Sequence, residues 1–154
     1  MQFLFLKKQF QEREMQKTYR AFVYGEMKSD SGVIDRPIAR SKNDFRKWTA
    51  QRGTRGEMRE AITKYELLKK KGGYSYVEAE PQTGRTHQIR VHFKAINHPV
   101  VGDKLYGKLK DEALGFDRLA LHAKSIEFKL LSGKMQKVEA PLPPDFEKAI
   151  KLLG

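Results

Sequence analysis

Residues 81–92 read PQTGRTHQIRVH and join a predicted strand to a predicted helix. We expect the helix to begin at Thr86 and to continue for about ten residues. At about 100° per residue, polar and apolar side chains separate onto opposite faces of that helix. The polar face carries Thr86, His87, Arg90 and Lys94, and the apolar face carries Ile89, Phe93 and Ile96. The pattern predicts one face in the core and the other at a binding surface.

The loop before this helix has the features of an anion-binding site. A strand that runs into Thr-Gly-Arg-Thr and then a helix leaves backbone N–H groups unpaired beside the guanidinium of Arg85. We therefore predict that Arg85, Thr86 and the polar face of the helix bind phosphate groups. No metal is predicted, because His87 and His92 would lie about 140° apart on a helix, whereas zinc-binding pairs prefer a spacing of four residues.

Outside this stretch, most of the pattern is typical of strands paired in hairpins. It predicts a helix over 4–15, a strand over 17–27, hairpins of 61–68 with 74–80 and of 119–131 with 134–140, and a last helix opening at 143–145. Residues 33–58 are polar and basic, and we expect a loop there apart from a short extended piece around Ile34. This order predicts an α+β fold with a mixed, mostly antiparallel sheet and a few helices.

Composition narrows the function further. The 154 residues fit a single domain, and 31 Lys and Arg against 19 Asp and Glu give a net charge of +12, which favours a polyanionic partner such as nucleic acid. The chain has no cysteine, which excludes disulfides, thiolate metal sites and cysteine nucleophiles. No apolar run is long enough to cross a membrane, and the first residues lack the pattern of a secretory signal, so we expect a cytoplasmic protein.

Two more segments have the composition of RNA-binding surfaces. Lys17 and Tyr19 are two residues apart on a predicted strand, so a ring that can stack on a base lies beside a cation that can meet a phosphate. Arg52 and Arg55 belong to the basic segment that we expect to be a loop, where they can contact a phosphate backbone.

Together these segments resemble one known family. The stretch PQTGRTHQIRVHFKAINHPVVGDKLYG, with KTYRAFVYG before it and RLALHA after it, is similar to the signature of RluA-type pseudouridine synthases. GVIDRPIAR, EAITKYELL and APLPPDF resemble the other segments of that family in the same order. The likeness covers nearly the whole chain, and it implies a pseudouridine synthase-like fold in which residues 1–154 form the C-terminal part of a catalytic domain.

The resemblance also implies a reaction and roles for named residues. It implies an isomerase that detaches uracil from ribose within ribosomal or transfer RNA, rotates the base and rejoins it through carbon 5, without metal or cofactor. By this likeness Tyr19 stacks on the flipped uracil and helps to remove the carbon 5 proton. Arg90 pairs with the catalytic aspartate, and Leu119 and Leu121 line the base pocket.

One family motif has no counterpart in these 154 residues. The family's essential aspartate belongs to an Arg-Leu-Asp motif, and none of the seven aspartates here stands in that context. We therefore expect Arg90 to lack its partner, the fold to be incomplete and the chain to be inactive alone. An incomplete sheet exposes apolar surface, so we expect a homodimer or a strand swap. The alternative to an enzyme is a non-catalytic RNA-binding module, and a weaker one is a hydrolase with an unrecognised nucleophile.

Overall fold

A computed structural model describes residues 1–12, 14–51, 54–107 and 112–154. It contains three α-helices and nine strands within those ranges, and a short 3₁₀-helix at Ala113–Gly115. In chain order the elements are α1 (Gln2–Gln11), β1 (Gln16–Tyr24), β2 (Ser31–Asp35), β3 (Ile38–Ser41), β4 (Trp48–Thr49), β5 (Thr54–Arg59), β6 (Ile62–Lys71), β7 (Tyr74–Pro81), α2 (Gln88–Ala95), β8 (Leu121–Lys129), β9 (Met135–Glu139) and α3 (Pro144–Leu152). The predicted α+β class is confirmed.

Six strands form the large sheet in the order β2-β6-β7-β1-β8-β9. Every ladder within the described ranges is antiparallel, and both predicted hairpins, β6 with β7 and β8 with β9, are present. The core lies against central strand β1, where the ring of Phe22 stacks on Tyr76 with centroids 4.7 Å apart. The centroids of Phe116, which follows the 3₁₀-helix, and of Phe146 in α3 lie 5.4 and 5.3 Å from that of Phe22, so the predicted last helix packs on this core.

The expectation of a loop over 33–58 is wrong. This segment completes β2 and contributes strands β3, β4 and β5, which form a second sheet in the order β4-β3-β5. These strands have two to six residues and no alternation of apolar side chains, so the sequence pattern did not reveal them. A second apolar cluster made of distant residues holds them to the body of the protein: Ile38, Ala61, Val91 and Tyr106.

The helix after the signature stretch differs from its prediction. It begins at Gln88 instead of Thr86 and has eight residues, because His87 adopts the left-handed conformation with φ 56° and ψ 22°. Ile89 and Phe93 are buried as expected, but Val91 and Ala95 are buried as well. Helix α2 contacts β4 of the small sheet as well as β6 and β7 of the large sheet, so both sides are covered instead of one.

Helix α1 begins and ends earlier than predicted, and its apolar face stays open. Leu4 and Phe10 are 64% and 54% exposed. The helix is attached by Gln9, whose amide donates to the carbonyl of Lys129 and accepts from its N–H at 2.7 and 2.8 Å. The expected dimer or strand swap stays a prediction. No helix in the described ranges is long and apolar enough to cross a membrane.

Buried His92 predicts a loss of stability in mild acid. Its Nε2–H donates to the carbonyl of Arg36, its Nδ1 accepts from the Thr63 hydroxyl, and burial holds its pKa below the ordinary 6.5. The unfolded chain takes up a proton there as the pH falls below 6.5, whereas the folded chain does not, so the free energy of unfolding decreases in that range. Denaturant titrations between about pH 5 and pH 8 measure it.

The variant His92→Gln removes the titrating ring and is expected to flatten the decrease on the acid side. Its stability at neutral pH can differ from that of the unchanged protein, and the slope with pH is the quantity to compare. Equal slopes in the two proteins contradict the assignment of the acid sensitivity to His92.

Candidate active site

Most of the predicted site residues line one cavity. Its volume is about 380 Å³, and it lies between the start of β1, the loop that leads into α2 and the segment before β8. Seven of the predicted site residues line it: Lys17, Tyr19, Arg85, His87, Arg90, Leu119 and Leu121. The proposed tyrosine, arginine and leucines, which are far apart in the chain, therefore surround one space of a size suited to a small ligand.

Strand pairing brings two walls of this cavity together. In the ladder between β1 and β8, Tyr19 lies opposite Ala123, and Ala21 lies opposite Leu121. Tyr19 and Leu121 are therefore diagonal neighbours, and their side chains leave the same face of the sheet. Burial raises the pKa of the Tyr19 hydroxyl, which keeps the phenol neutral at physiological pH.

Arg90 on α2 forms a bidentate ion pair with Asp103. Its Nε and Nη2 each lie 2.8 Å from a carboxylate oxygen, and the Asp103 side chain has no solvent exposure. The same carboxylate accepts the backbone N–H groups of Leu105 and Tyr106 at 3.0 Å. Burial alone would raise the pKa of Asp103, but these hydrogen bonds outweigh it, and the pKa lies below its ordinary value.

Arg90 thus pairs with a carboxylate of this chain, whereas the expected lack of its catalytic aspartate stays a prediction. The partner is Asp103, 13 positions later, in the Val-Gly-Asp turn. Hydrogen bonding to Asp103 raises the pKa of Arg90, which keeps the guanidinium charged. Its Nη1 has no acceptor among the described residues. The arginine can thus stay fixed by Asp103 and still offer Nη1 to a second acceptor.

A close backbone contact links the Asp103 turn to the leucine wall. A Cβ at Gly102 would lie 2.0 Å from the carbonyl oxygen of Arg118, and the φ of Gly102 is +76°. Only glycine fits such a contact and such a backbone conformation. The Ala120 N–H donates to the carbonyl of Val101 at 2.8 Å, so the two segments are bonded beside the cavity.

Gln88 fastens the loop before α2 to strand β6. Its Oε1 accepts from the Thr83 hydroxyl at 2.6 Å and from the Arg85 N–H at 3.1 Å. Its Nε2 donates to the carbonyl of Ile62 at 2.9 Å and to the Thr63 hydroxyl at 3.0 Å. Sequence reasoning missed Gln88, because a glutamine at the start of a helix reads as a polar surface residue.

The predicted RNA-binding residues fall into separate groups. Lys17, Arg85 and His87 border the cavity, and the Lys17 ammonium lies 4.2 Å from the centroid of the Phe10 ring. Thr86 is exposed and does not line this cavity. At the start of α2 the left-handed His87 separates Thr86 from the first turn, and phosphate binding at this loop stays a prediction.

The other predicted cations that the structure describes lie in or beside the small sheet. Lys94 lies at a smaller cavity beside Trp48, and Arg55 lies opposite Arg40 in the ladder between β3 and β5. The Arg40 guanidinium is 4.9 Å from the Trp48 ring centroid. Arg52 lies outside the described residues. The structure thus adds Trp48 and Arg40 to the candidate RNA surface, a pairing that strand register creates and that no sequence spacing indicates.

Comparisons with known proteins agree on one family. A family model described as RNA pseudouridylate synthase matches residues 5–95. An uncharacterised RNA pseudouridine synthase of Mycobacterium tuberculosis is 38% identical over 152 residues, which are 96% of this chain and 48% of the relative. Ribosomal large subunit pseudouridine synthase D of Borreliella burgdorferi is 37% identical over 142 residues, 92% of this chain and 42% of the relative. The chain spans about half the length of these curated relatives.

Solved structures are similar in fold. Human RNA pseudouridylate synthase domain containing 1 has a TM-score of 0.79 and 29% sequence identity, over 89% of this chain and 58% of the human chain. Human RNA pseudouridylate synthase domain containing 4 has a TM-score of 0.77 and 26% sequence identity, over 97% of this chain and 66% of the human chain. The predicted pseudouridine synthase-like fold is confirmed.

The buried ion pair predicts a large cost for Asp103→Asn. The amide cannot accept all the hydrogen bonds of the carboxylate, and Arg90 would keep its charge without a counterion. We expect the free energy of unfolding to decrease by about 3 kcal/mol, measured by denaturant unfolding. Asp44→Asn is the matched control, since its ion pair with Arg46 lies in an exposed loop, and we expect no measurable change. Equal effects of the two changes would contradict the role given to Asp103.

Proposed function

The chain belongs to the RNA pseudouridylate synthase family, and on that basis we propose that it supplies the uridine-binding part of an enzyme that converts uridine to pseudouridine in RNA. The observation that carries this proposal is the convergence of Tyr19, Arg90, Leu119 and Leu121 on one cavity. We propose residues 1–154 as the C-terminal part of the catalytic domain. The substrate is ribosomal or transfer RNA, and the location is the cytoplasm; the name of the Borreliella burgdorferi relative supports the ribosomal choice.

The proposed reaction is an isomerisation that needs no cofactor. The bond between N1 of uracil and C1′ of ribose breaks, a bond between C5 and C1′ forms, and the proton of C5 is released as N1 regains one. Because a base inside a helix cannot be reached, the uridine first leaves its stack and enters the cavity. The Tyr19 ring then stacks on the uracil, and the side chains of Leu119 and Leu121 form the apolar wall of the pocket around the base.

Arg90 orients a carboxylate in this proposal, and that carboxylate is not Asp103. Four hydrogen bonds already occupy the Asp103 oxygens, so it is poorly suited to attack a sugar or a base. The open Nη1 of Arg90 can receive the aspartate of an Arg-Leu-Asp segment, which does not occur in these 154 residues. An arginine fork keeps such a carboxylate ionised and fixed in direction. We therefore propose that this chain needs that segment for catalysis.

The small sheet holds the RNA strand beside the cavity. Arg55 makes no ion pair with the described residues, and Arg40, Lys47 and Lys94 lie around Trp48. Free cations next to an indole ring fit phosphate groups and an unstacked base. The net charge of +12 supports the same partner.

The reaction is tested by tritium release from RNA that carries uridine tritiated at carbon 5. We expect no release by the chain alone and release when a peptide containing an Arg-Leu-Asp segment is added, because the peptide supplies the missing carboxylate. The control is the same peptide with its aspartate replaced by asparagine, which should leave release at the background level.

Release by the chain alone would contradict the need for a second segment and would return attention to its own aspartates. Absence of release in every mixture, with RNA still bound, favours the alternative of a non-catalytic RNA-binding module.

The proposed contact between Arg55 and an RNA phosphate predicts that Arg55→Ala changes the salt dependence of RNA binding. Loss of one phosphate contact should weaken affinity for RNAs of different sequence alike and reduce the salt slope by about one. Arg118→Ala is the matched control, because Asp145 already neutralises that arginine, and its slope should stay unchanged. Filter binding at several salt concentrations measures both. The same slope for Arg55→Ala and the unchanged chain would remove Arg55 from the interface.

A further inference from the structure

A chain of hydrogen bonds runs from the small sheet into the cavity. The backbone N–H of Trp48 donates to the Tyr106 hydroxyl oxygen at 3.0 Å, and the same oxygen lies 2.7 Å from Nδ1 of His87. The rings of His87 and Tyr106 meet edge to face, with centroids 5.5 Å apart. His87 is therefore held at Nδ1 by Tyr106, and its side chain also lines the cavity that contains Tyr19 and Arg90.

This arrangement favours one position for the proton of the His87 ring. The Tyr106 oxygen already accepts from Trp48, and among the described residues the only acceptor within reach of its own proton is Nδ1 of His87. We therefore assign Tyr106 as the donor and Nδ1 as the acceptor of this bond. A neutral imidazole then bears its proton on Nε2. Burial, followed by the charge of Arg90, lowers the pKa of His87, which keeps the ring neutral at physiological pH.

The backbone at His87 adds a second observation. Its φ of 56° lies in the left-handed region, which a non-glycine residue adopts at an energetic cost. Because of this conformation α2 begins only at Gln88, and the imidazole lies at the cavity before the helix. Within the described ranges, Nε2 has no protein partner.

We propose that His87 presents its Nε2–H as a fixed hydrogen-bond donor to an oxygen of the nucleotide in the cavity, and that Tyr106 is the positioning residue that sets this tautomer. The inference rests on the proposed function, since it needs a nucleotide in that cavity. A carbonyl of the base and an oxygen of its phosphate are both acceptors for such a donor. A fixed neutral donor at Nε2 selects for ligands with an acceptor opposite it. A ligand with an N–H at that position would face the Nε2–H donor to donor, and neither group would have an acceptor.

The tautomer is tested first, on the chain labelled with ¹⁵N-histidine. Two-bond ¹H–¹⁵N correlation spectra distinguish a protonated from an unprotonated ring nitrogen. We expect His87 protonated at Nε2, and we expect Tyr106→Phe to give a mixture of tautomers. His92 is an internal control, because the carbonyl of Arg36 holds its proton on Nε2 in both proteins and its signals report a preserved fold. A His87 protonated at Nδ1 would overturn the proposal.

Ligand binding is tested in the same ¹⁵N-histidine spectra with three separate probes: a short uridine RNA, uridine and ribose 5-phosphate. We expect the RNA to shift the Nε2 signal of His87; a shift with uridine alone identifies a base carbonyl, and a shift with ribose 5-phosphate alone identifies a phosphate oxygen. Bound RNA without a change at this signal would overturn the role of His87 only. A chain that binds no RNA at all would overturn the proposed function as well.

Substitutions separate donation from packing. His87→Gln keeps an N–H donor near the position of Nε2, whereas His87→Leu keeps volume without a donor. We expect His87→Leu to weaken binding of the uridine RNA on the order of tenfold and His87→Gln to restore most of it. Equal losses in the two variants, with His92 signals unchanged, contradict the proposed hydrogen bond.

Discussion

The Asp103 carboxylate accepts four hydrogen bonds at a position without solvent exposure, and the geometry of the cavity depends on it. Two of these bonds fix the guanidinium of Arg90, and the other two fix the backbone turn that presents Tyr106. Tyr106 in turn bonds to both Trp48 and His87. A single buried charge therefore aligns helix α2, the small sheet and the cavity. Its cost of burial is offset because each oxygen of the carboxylate has a charged or N–H partner.

The two sheets divide the proposed work. The large sheet supplies the strands that carry Tyr19 and Leu121, which line the proposed base pocket. The small sheet and α2 supply cations near Trp48, such as Arg40 and Lys94, that form no ion pair with other described residues. Helix α2 contacts both sheets, so it connects the proposed RNA-binding surface with the cavity.

The sequence predicted the elements that depend on residues close together in the chain. The hairpin of β6 and β7 follows from the alternation of apolar and polar residues and a Gly-Gly turn, and the start of α3 follows from a proline. The family resemblance predicted that Tyr19, Arg90 and the two leucines lie in one site, and they line one cavity. The small sheet escaped prediction because its short strands are stabilised by distant residues such as Tyr106. The partner of Arg90 escaped for a similar reason: Asp103 reads as a turn residue, and only the tertiary fold brings it to the helix.

The central claim is that a uracil occupies the cavity beside the Arg90–Asp103 pair. Intermolecular nuclear Overhauser effects between a short uridine RNA and the chain, with methyl-labelled leucines, test it most directly. The account predicts contacts from uracil protons H5 and H6 to the methyl groups of Leu119 or Leu121 and to the Tyr19 ring. Contacts of the base confined to the small sheet around Trp48, with none to those leucines, would contradict it.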